Sequence, residues 1–218
     1  MVDLDGFSLI VTGFPRSGTS MMMRMLSLGG VEVIADEQKL DPQHKHDPYG
    51  CHELKNVGVE LQQLSEEETA NKAVKIVCPY ATWIPIDRSV KAIFMLRDLN
   101  EIVSSLLAMK SIWDEDIAGS IAWTRGYLKH NEIPTLFVQY SEVMKYPKAT
   151  AIGMQDFLGA DLDIDAMAKA VDRDARTKYK RDDTLLGHNV PDALLRIDVE
   201  AYGDIGVQTY HSVEDNPE

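Results

Sequence analysis

Five short apolar runs, Ser8 to Phe14, Val31 to Ala35, Ala73 to Cys78, Lys91 to Leu96 and Thr135 to Gln139, punctuate the chain. They are rich in β-branched residues and too short for helices, so they read as buried strands. Between them the apolar positions recur at helical spacing. Thr19 to Leu28 follows a glycine-containing turn, and Leu54, Val57, Leu61 and Leu64 share one face of a second helix. Leu99, Ile102, Val103, Leu106 and Leu107 trace a third apolar stripe. Further helices are predicted over Asp116 to Asn131, Lys148 to Leu158 and Asp163 to Ala175, the last capped by Asp163 or Asp165. Strands alternating with helices predict an α/β three-layer sandwich around a central, mostly parallel sheet of about five strands.

No internal repeat or low-complexity block interrupts this pattern. At 218 residues the chain suits one domain better than two. Residues 1–202 are read as that domain, and 203–218, acidic and poor in large apolar residues, as a loose tail. A polar loop rich in charge, Asp36 to Gly50, follows the second strand, with Pro42 and Pro48 preventing a long helix. The formal net charge of -13 argues against a nucleic-acid partner. It also requires any anionic ligand to be captured by a local cluster of donors. No apolar stretch reaches the ~18 residues of a membrane span. The acidic start at Met1 lacks the features of a signal peptide, and Cys51 and Cys78 lack metal-ligand spacing. A reduced, cytoplasmic protein with no metal is the expectation.

Two strand-to-helix junctions carry candidate chemistry. The first is Gly13-Phe14-Pro15-Arg16-Ser17-Gly18-Thr19-Ser20. It nearly fits the phosphate loop of glycine, four residues, glycine, lysine, then serine or threonine. Backbone N–H groups and the positive end of a helix form an anion site at such a junction. Thr19 stands where the loop lysine would be, and the cation nearest it is Arg16. A triphosphatase uses that lysine on the β- and γ-phosphates, so the loop suits a smaller oxyanion pair. The second junction is Lys91 to Ser105, where a buried strand runs into Arg97 and a helix opens with Asp98 or Asn100 as its cap. Arg97 is placed at the carboxyl edge of the sheet, where open α/β sheets bind ligands. Ser105 lies two helical turns further on. The bland alternative for Arg97 is a surface ion pair with Asp98 or Glu101.

Pro15-Arg16-Ser17-Gly18-Thr19-Ser20 resembles the 5′-phosphosulfate loop of the sulfotransferase superfamily, and Asp47-Pro48-Tyr49-Gly50-Cys51-His52-Glu53 resembles a segment of its small bacterial members. Arg97 and Ser105 keep the spacing of that family's 3′-phosphate motif, although Leu99 replaces its usual proline. The resemblance implies a fold like the P-loop nucleotide hydrolases and 3′-phosphoadenosine 5′-phosphosulfate as co-substrate. Arg16, Ser17, Gly18, Thr19 and Ser20 would then hold the 5′-phosphate and sulfuryl group, and Arg97 and Ser105 the 3′-phosphate. It implies sulfuryl transfer to a hydroxyl or amine of a small-molecule or carbohydrate acceptor. Two other readings stand beside it: a P-loop kinase or nucleotide hydrolase, and a non-catalytic nucleotide-binding protein on the same fold.

Such a transfer needs a base for the acceptor proton. Many cytosolic sulfotransferases place a histidine after the third strand, but the matching segment here is Val77-Cys78-Pro79-Tyr80. Glu37 and Glu53 are the first candidates by likeness to other branches, followed by His52 and His46; His44 reads as a solvent-exposed loop residue. Lys75 either faces the sulfuryl oxygens or points to solvent. The basic run Arg173, Arg176, Lys178, Lys180 and Arg181 would close over the 3′-phosphate or balance nearby aspartates. Met21, Met22, Met23 and Met25 read as core filler.

Overall fold

The computed structural model describes residues 2–34, 65–84, 89–108 and 116–172. The predicted helix at Leu54 to Leu64, the polar loop, the basic run and the tail lie outside these residues.

Five strands form the sheet: β1 (Ser8–Gly13), β2 (Glu32–Ile34), β3 (Lys72–Lys75), β4 (Val90–Leu96) and β5 (Thr135–Gln139). They run parallel throughout in the order β2-β3-β1-β4-β5. The helices are α1 (Thr19–Leu28), α2 (Glu66–Thr69), α3 (Leu99–Ala108), α4 (Ile117–His130), α5 (Tyr140–Lys145), α6 (Pro147–Leu158) and α7 (Ile164–Lys169), with a 3-10 turn at Tyr80–Trp83. Among the described residues no helix is long and apolar enough to cross a membrane.

Strand parity sorts the core into two layers, because successive side chains point to opposite faces. Leu9, Val11, Ala73, Ile93, Met95 and Val138 pack with α1, α6 and α7 through Met22, Met23, Met25, Met154 and Met167. Ile10, Val74, Ala92, Phe94 and Leu96 pack with α3 and α4 through Ile102, Leu106, Ile117, Ile121 and Leu128. That is the three-layer sandwich the pattern predicted. Each fully buried large side chain of this kind contributes about 1.5–3 kcal/mol. The methionines of α1 are core, as their helical spacing implies, with Met21 packed at its margin.

Two boundaries differ from the reading of the sequence by more than one residue. The apolar run Ala73 to Cys78 is registered as a strand only to Lys75, yet Ile76 N donates to Val11 O at 3.0 Å and Cys78 N to Gly13 O at 3.0 Å. Backbone pairing with β1 thus continues to its last residue, ending at a cis Cys78–Pro79 peptide. Helix α7 stops at Lys169, short of Ala175. Its cap is Asp163, which accepts from Ala166 N at 2.9 Å, while the exposed Asp165 pairs with Lys148 at 2.7 Å.

The strand order fixes where a ligand can sit. From the carboxyl end of β1 the chain departs toward β2, and from β4 toward β5. Adjacent strands whose connections leave in opposite directions open a crevice between them. The two junctions singled out in the sequence follow β1 and β4.

Candidate functional site

The loop after β1 is shaped by three residues with positive φ: Gly13 at 142°, Arg16 at 74° and Gly18 at 102°. The glycines are needed for close approach as well as for backbone freedom. A Cβ on Gly13 would lie 2.6 Å from Met95 O and from Ser17 Oγ, and one on Gly18 would lie 2.7 Å from Tyr140 Cδ2. Arg16 holds a left-handed conformation that costs a non-glycine residue on the order of 1–3 kcal/mol, and such strain gathers at ligand-binding turns.

Gly18 caps α1 without any side-chain hydrogen bond. The first-turn N–H groups of a helix lack intrahelical partners, so an anion there is favoured by both hydrogen bonding and the helix dipole. Ser17 is buried within this turn, and its Oγ has no hydrogen-bond partner among the described residues. Leaving a buried hydroxyl unpaired costs about 1–3 kcal/mol. A bound oxyanion would remove that cost. Thr19 is buried beside it.

Lys75 belongs to the same site, and it does not point to solvent. Only 2% of it is exposed, and it shares the parity of Ala73, so it lies on the α1 face of the sheet. Its Nζ donates to Ser20 Oγ at 3.0 Å. A strand lysine thereby brings positive charge to the loop that lacks one at Thr19.

The junction after β4 meets the loop directly. Arg16 Nε donates to Ser105 Oγ at 3.0 Å, and Arg97 Nη1 donates to the carbonyl of Arg16 at 2.7 Å. Seven predicted ligand-binding residues, Arg16 to Ser20, Arg97 and Ser105, are thus gathered at one edge of the sheet. The ion-pair alternative for Arg97 is also realised, since its Nε donates to Glu101 Oε2 at 2.9 Å, an i, i+4 pair. Asp98 instead receives Glu101 N at 3.1 Å and caps α3. The Arg97 guanidinium lies over the Tyr140 ring, 4.2 Å from its centroid.

Tyr140 was not recognised as a partner of Arg97 from the sequence. Glu101 was visible as a possible ion pair. Tyr140 carried a positional signal, being the first residue after β5 at the carboxyl edge of the sheet, but an aromatic there reads equally well as core.

No family model and no curated protein matches the chain. Solved structures do. A sulfotransferase domain from the curacin biosynthetic pathway matches at 14% identity and TM-score 0.43, over 71% of this chain and 74% of that one. Mouse sulfotransferase SULT7A1 complexed with PAP matches at 16% and 0.49, over 78% and 63%. Retinol dehydratase in complex with androsterone and inactive cofactor PAP matches at 17% and 0.43, over 74% and 62%. The chain is similar to solved sulfotransferases. It spans less than two thirds of the length of the last two, and their ligands are properties of those proteins.

The remaining chemistry is set by what this chain places near the loop. Cys78 follows the strand end where Val77-Cys78-Pro79-Tyr80 replaces the expected histidine. Burial pushes its thiol pKa up, and hydrogen bonds with Thr124 and Thr12 only partly offset this. A thiol held protonated is a poor nucleophile. Among the described residues the one histidine is His130, exposed at the far end of α4. No group of three or more His, Cys, Asp or Glu among them could hold a metal ion. Glu37, His44, His46, His52 and Glu53 lie outside the described residues.

Proposed function

We propose that the chain is a sulfotransferase that moves a sulfuryl group from 3′-phosphoadenosine 5′-phosphosulfate to a hydroxyl or amine of a small-molecule or carbohydrate acceptor. One observation carries this reading. The hydroxyl-rich loop and the arginine-led junction are joined through Arg16–Ser105 and Arg97–Arg16 hydrogen bonds. They therefore offer donors for two anionic groups along one continuous edge.

The residues fit such a ligand. Ser17 Oγ is an unpaired buried donor, Gly13 and Gly18 let Met95, Ser17 and Tyr140 pack closely around the loop, and the start of α1 has no side-chain cap. In this reading Arg16, Ser17, Gly18, Thr19 and Ser20 hold the 5′-phosphosulfate, with Lys75 adding charge from below. Arg97 and Ser105 hold the 3′-phosphate. A guanidinium's planar fork suits phosphate oxygens better than an ammonium does. When bound, the phosphosulfate supplies the sulfuryl group. The chain's part is to fix its orientation and stabilise charge on its oxygens through preorganised donors. Glu53, Glu37, His52 and His46 remain the candidates to take the acceptor proton, and no metal is needed for the step as drawn.

The experiment pairs binding with turnover. Isothermal titration should show tight binding of 3′-phosphoadenosine 5′-phosphate and weak binding of magnesium adenosine triphosphate; the reverse order contradicts the reading and favours a kinase or hydrolase. Transfer of radiolabelled sulfate to a panel of hydroxyl and amine acceptors should then be seen. Binding of the product nucleotide with transfer to no acceptor would assign a non-catalytic binding protein instead.

A further inference from the structure

We infer that Tyr140 is a positioning residue, which locks the Arg97 guanidinium to the phosphate loop and thereby sets the preference for a 3′-phosphorylated nucleotide. The inference rests on the proposed site. Tyr140 is buried and opens α5 immediately after β5. The Arg97 guanidinium lies over its ring, 4.2 Å from the centroid, and a Cβ on Gly18 would come within 2.7 Å of Cδ2 and 3.3 Å of Cε2. One ring therefore touches the loop backbone and also carries the arginine of the other junction.

Arg97 has three restraints, and they are unequal. Glu101 is half-exposed, and a surface ion pair holds a long side chain only weakly. The bond to Arg16 O ties Arg97 to a loop that itself leans on Tyr140 through Gly18. The buried ring has only two side-chain torsions and lies against Gly18, so it is the stiff member. A guanidinium over an aromatic face is held there by the ring's negative face, more strongly where the pair is desolvated. The ring thus fixes where the guanidinium of Arg97, with its remaining donors, is offered. The Tyr140 hydroxyl makes no hydrogen bond among the described residues, so the ring itself supplies the restraint.

The test is the ratio of affinities for 3′-phosphoadenosine 5′-phosphate and adenosine 5′-phosphate, measured by titration calorimetry. Tyr140→Leu should lower the 3′-phosphate preference about tenfold, the scale of a desolvated cation–π contact. Tyr140→Phe should rescue it. In an Arg97→Ala background Tyr140→Leu should change the ratio no further, because there is no guanidinium left to orient. A Leu variant that keeps the wild-type ratio, or loses affinity for both nucleotides equally, overturns the inference. So does an unchanged additional loss in the Arg97→Ala background. A wild-type protein with no 3′-phosphate preference would instead bring down the proposed site, and the positioning role with it. Should the Leu variant not fold, phenylalanines at 140 carrying increasing numbers of fluorines keep the shape while weakening the ring's attraction for cations. The preference should fall stepwise along that series, and a flat series overturns the inference.

Discussion

Strand β4 carries a cation at each end, and the two make the same kinds of contact for different ends. Lys91 and Arg97 share the parity of Ile93 and Met95 and lie about 20 Å apart along the strand. Lys91 Nζ sits 4.2 Å from the Phe7 ring centroid and donates to the carbonyls of Phe157 and Leu158 at 3.2 and 3.3 Å. Those are the last carbonyls of α6, which have no intrahelical partner, and a cation there also complements the helix dipole. These contacts of Lys91 are all internal, and they lie at the amino edge of the sheet. Arg97 also has an aromatic face and a carbonyl, but they belong to Tyr140 and to the strained loop residue Arg16. Its neighbourhood includes a buried hydroxyl left unpaired and a helix start left uncapped. A cation set in finished surroundings serves stability. One set among unmet donors points to a ligand.

Changing each end in turn should separate these roles. The largest effect belongs to Arg97→Ala. Affinity for 3′-phosphoadenosine 5′-phosphate should fall about a hundredfold, the worth of one or two charge-assisted hydrogen bonds. Affinity for adenosine 5′-phosphosulfate, which lacks the 3′-phosphate, should fall far less. Equal losses in calorimetry would break the assignment of Arg97. At the other end, Lys91→Met keeps the aliphatic bulk but removes two carbonyl bonds and a cation–π contact. It should cost about 2 kcal/mol of stability in urea unfolding while leaving nucleotide affinity as it was. A loss of nucleotide affinity in that variant would erase the distinction between the two ends.

Ser17→Ala should act in opposite directions on folding and binding. It removes a buried hydroxyl that lacks a partner, so the free protein should be as stable or slightly more stable. Affinity for a 5′-phosphorylated nucleotide should fall about tenfold, the worth of one hydrogen bond to a charged group. A destabilised Ser17→Ala protein with intact affinity would mean that the hydroxyl is structural. The smallest effect is expected of Glu101→Gln. The amide can still accept from Arg97 Nε, while the negative charge beside an incoming phosphate is gone. Nucleotide affinity should rise roughly two- to threefold at low salt and less at high salt, as expected of a half-exposed charge.

The sequence revealed this architecture unevenly, for physical reasons. Thr135–Gln139 and Thr19–Leu28 were legible to the residue, because each is an apolar run bounded by a turn. Asp163 was one of two caps offered for its helix, and Asp116 was read only as the start of its own; both accept a backbone N–H three residues on. Helix α5 was missed: its six residues are too few for periodicity to register, and tertiary contacts through Tyr140, Val143 and Met144 hold it. The candidate binding residues were readable because a phosphate loop needs glycines and donors at fixed spacing. Their mutual wiring was not. Nothing in the spacing of Arg16 and Ser105, 89 residues apart, says that they share a hydrogen bond. Lys75 was readable only as an alternative, and the strand's parity together with the position of α1 decided its direction.

A crystal of the protein grown with 3′-phosphoadenosine 5′-phosphate tests the central claim most directly. The account predicts the 5′-phosphate within hydrogen-bonding distance of the Ser17 hydroxyl and the first N–H groups of α1, with the 3′-phosphate on Arg97 and Ser105. A nucleotide with only one phosphate at these junctions, or seated elsewhere on the sheet, would contradict it.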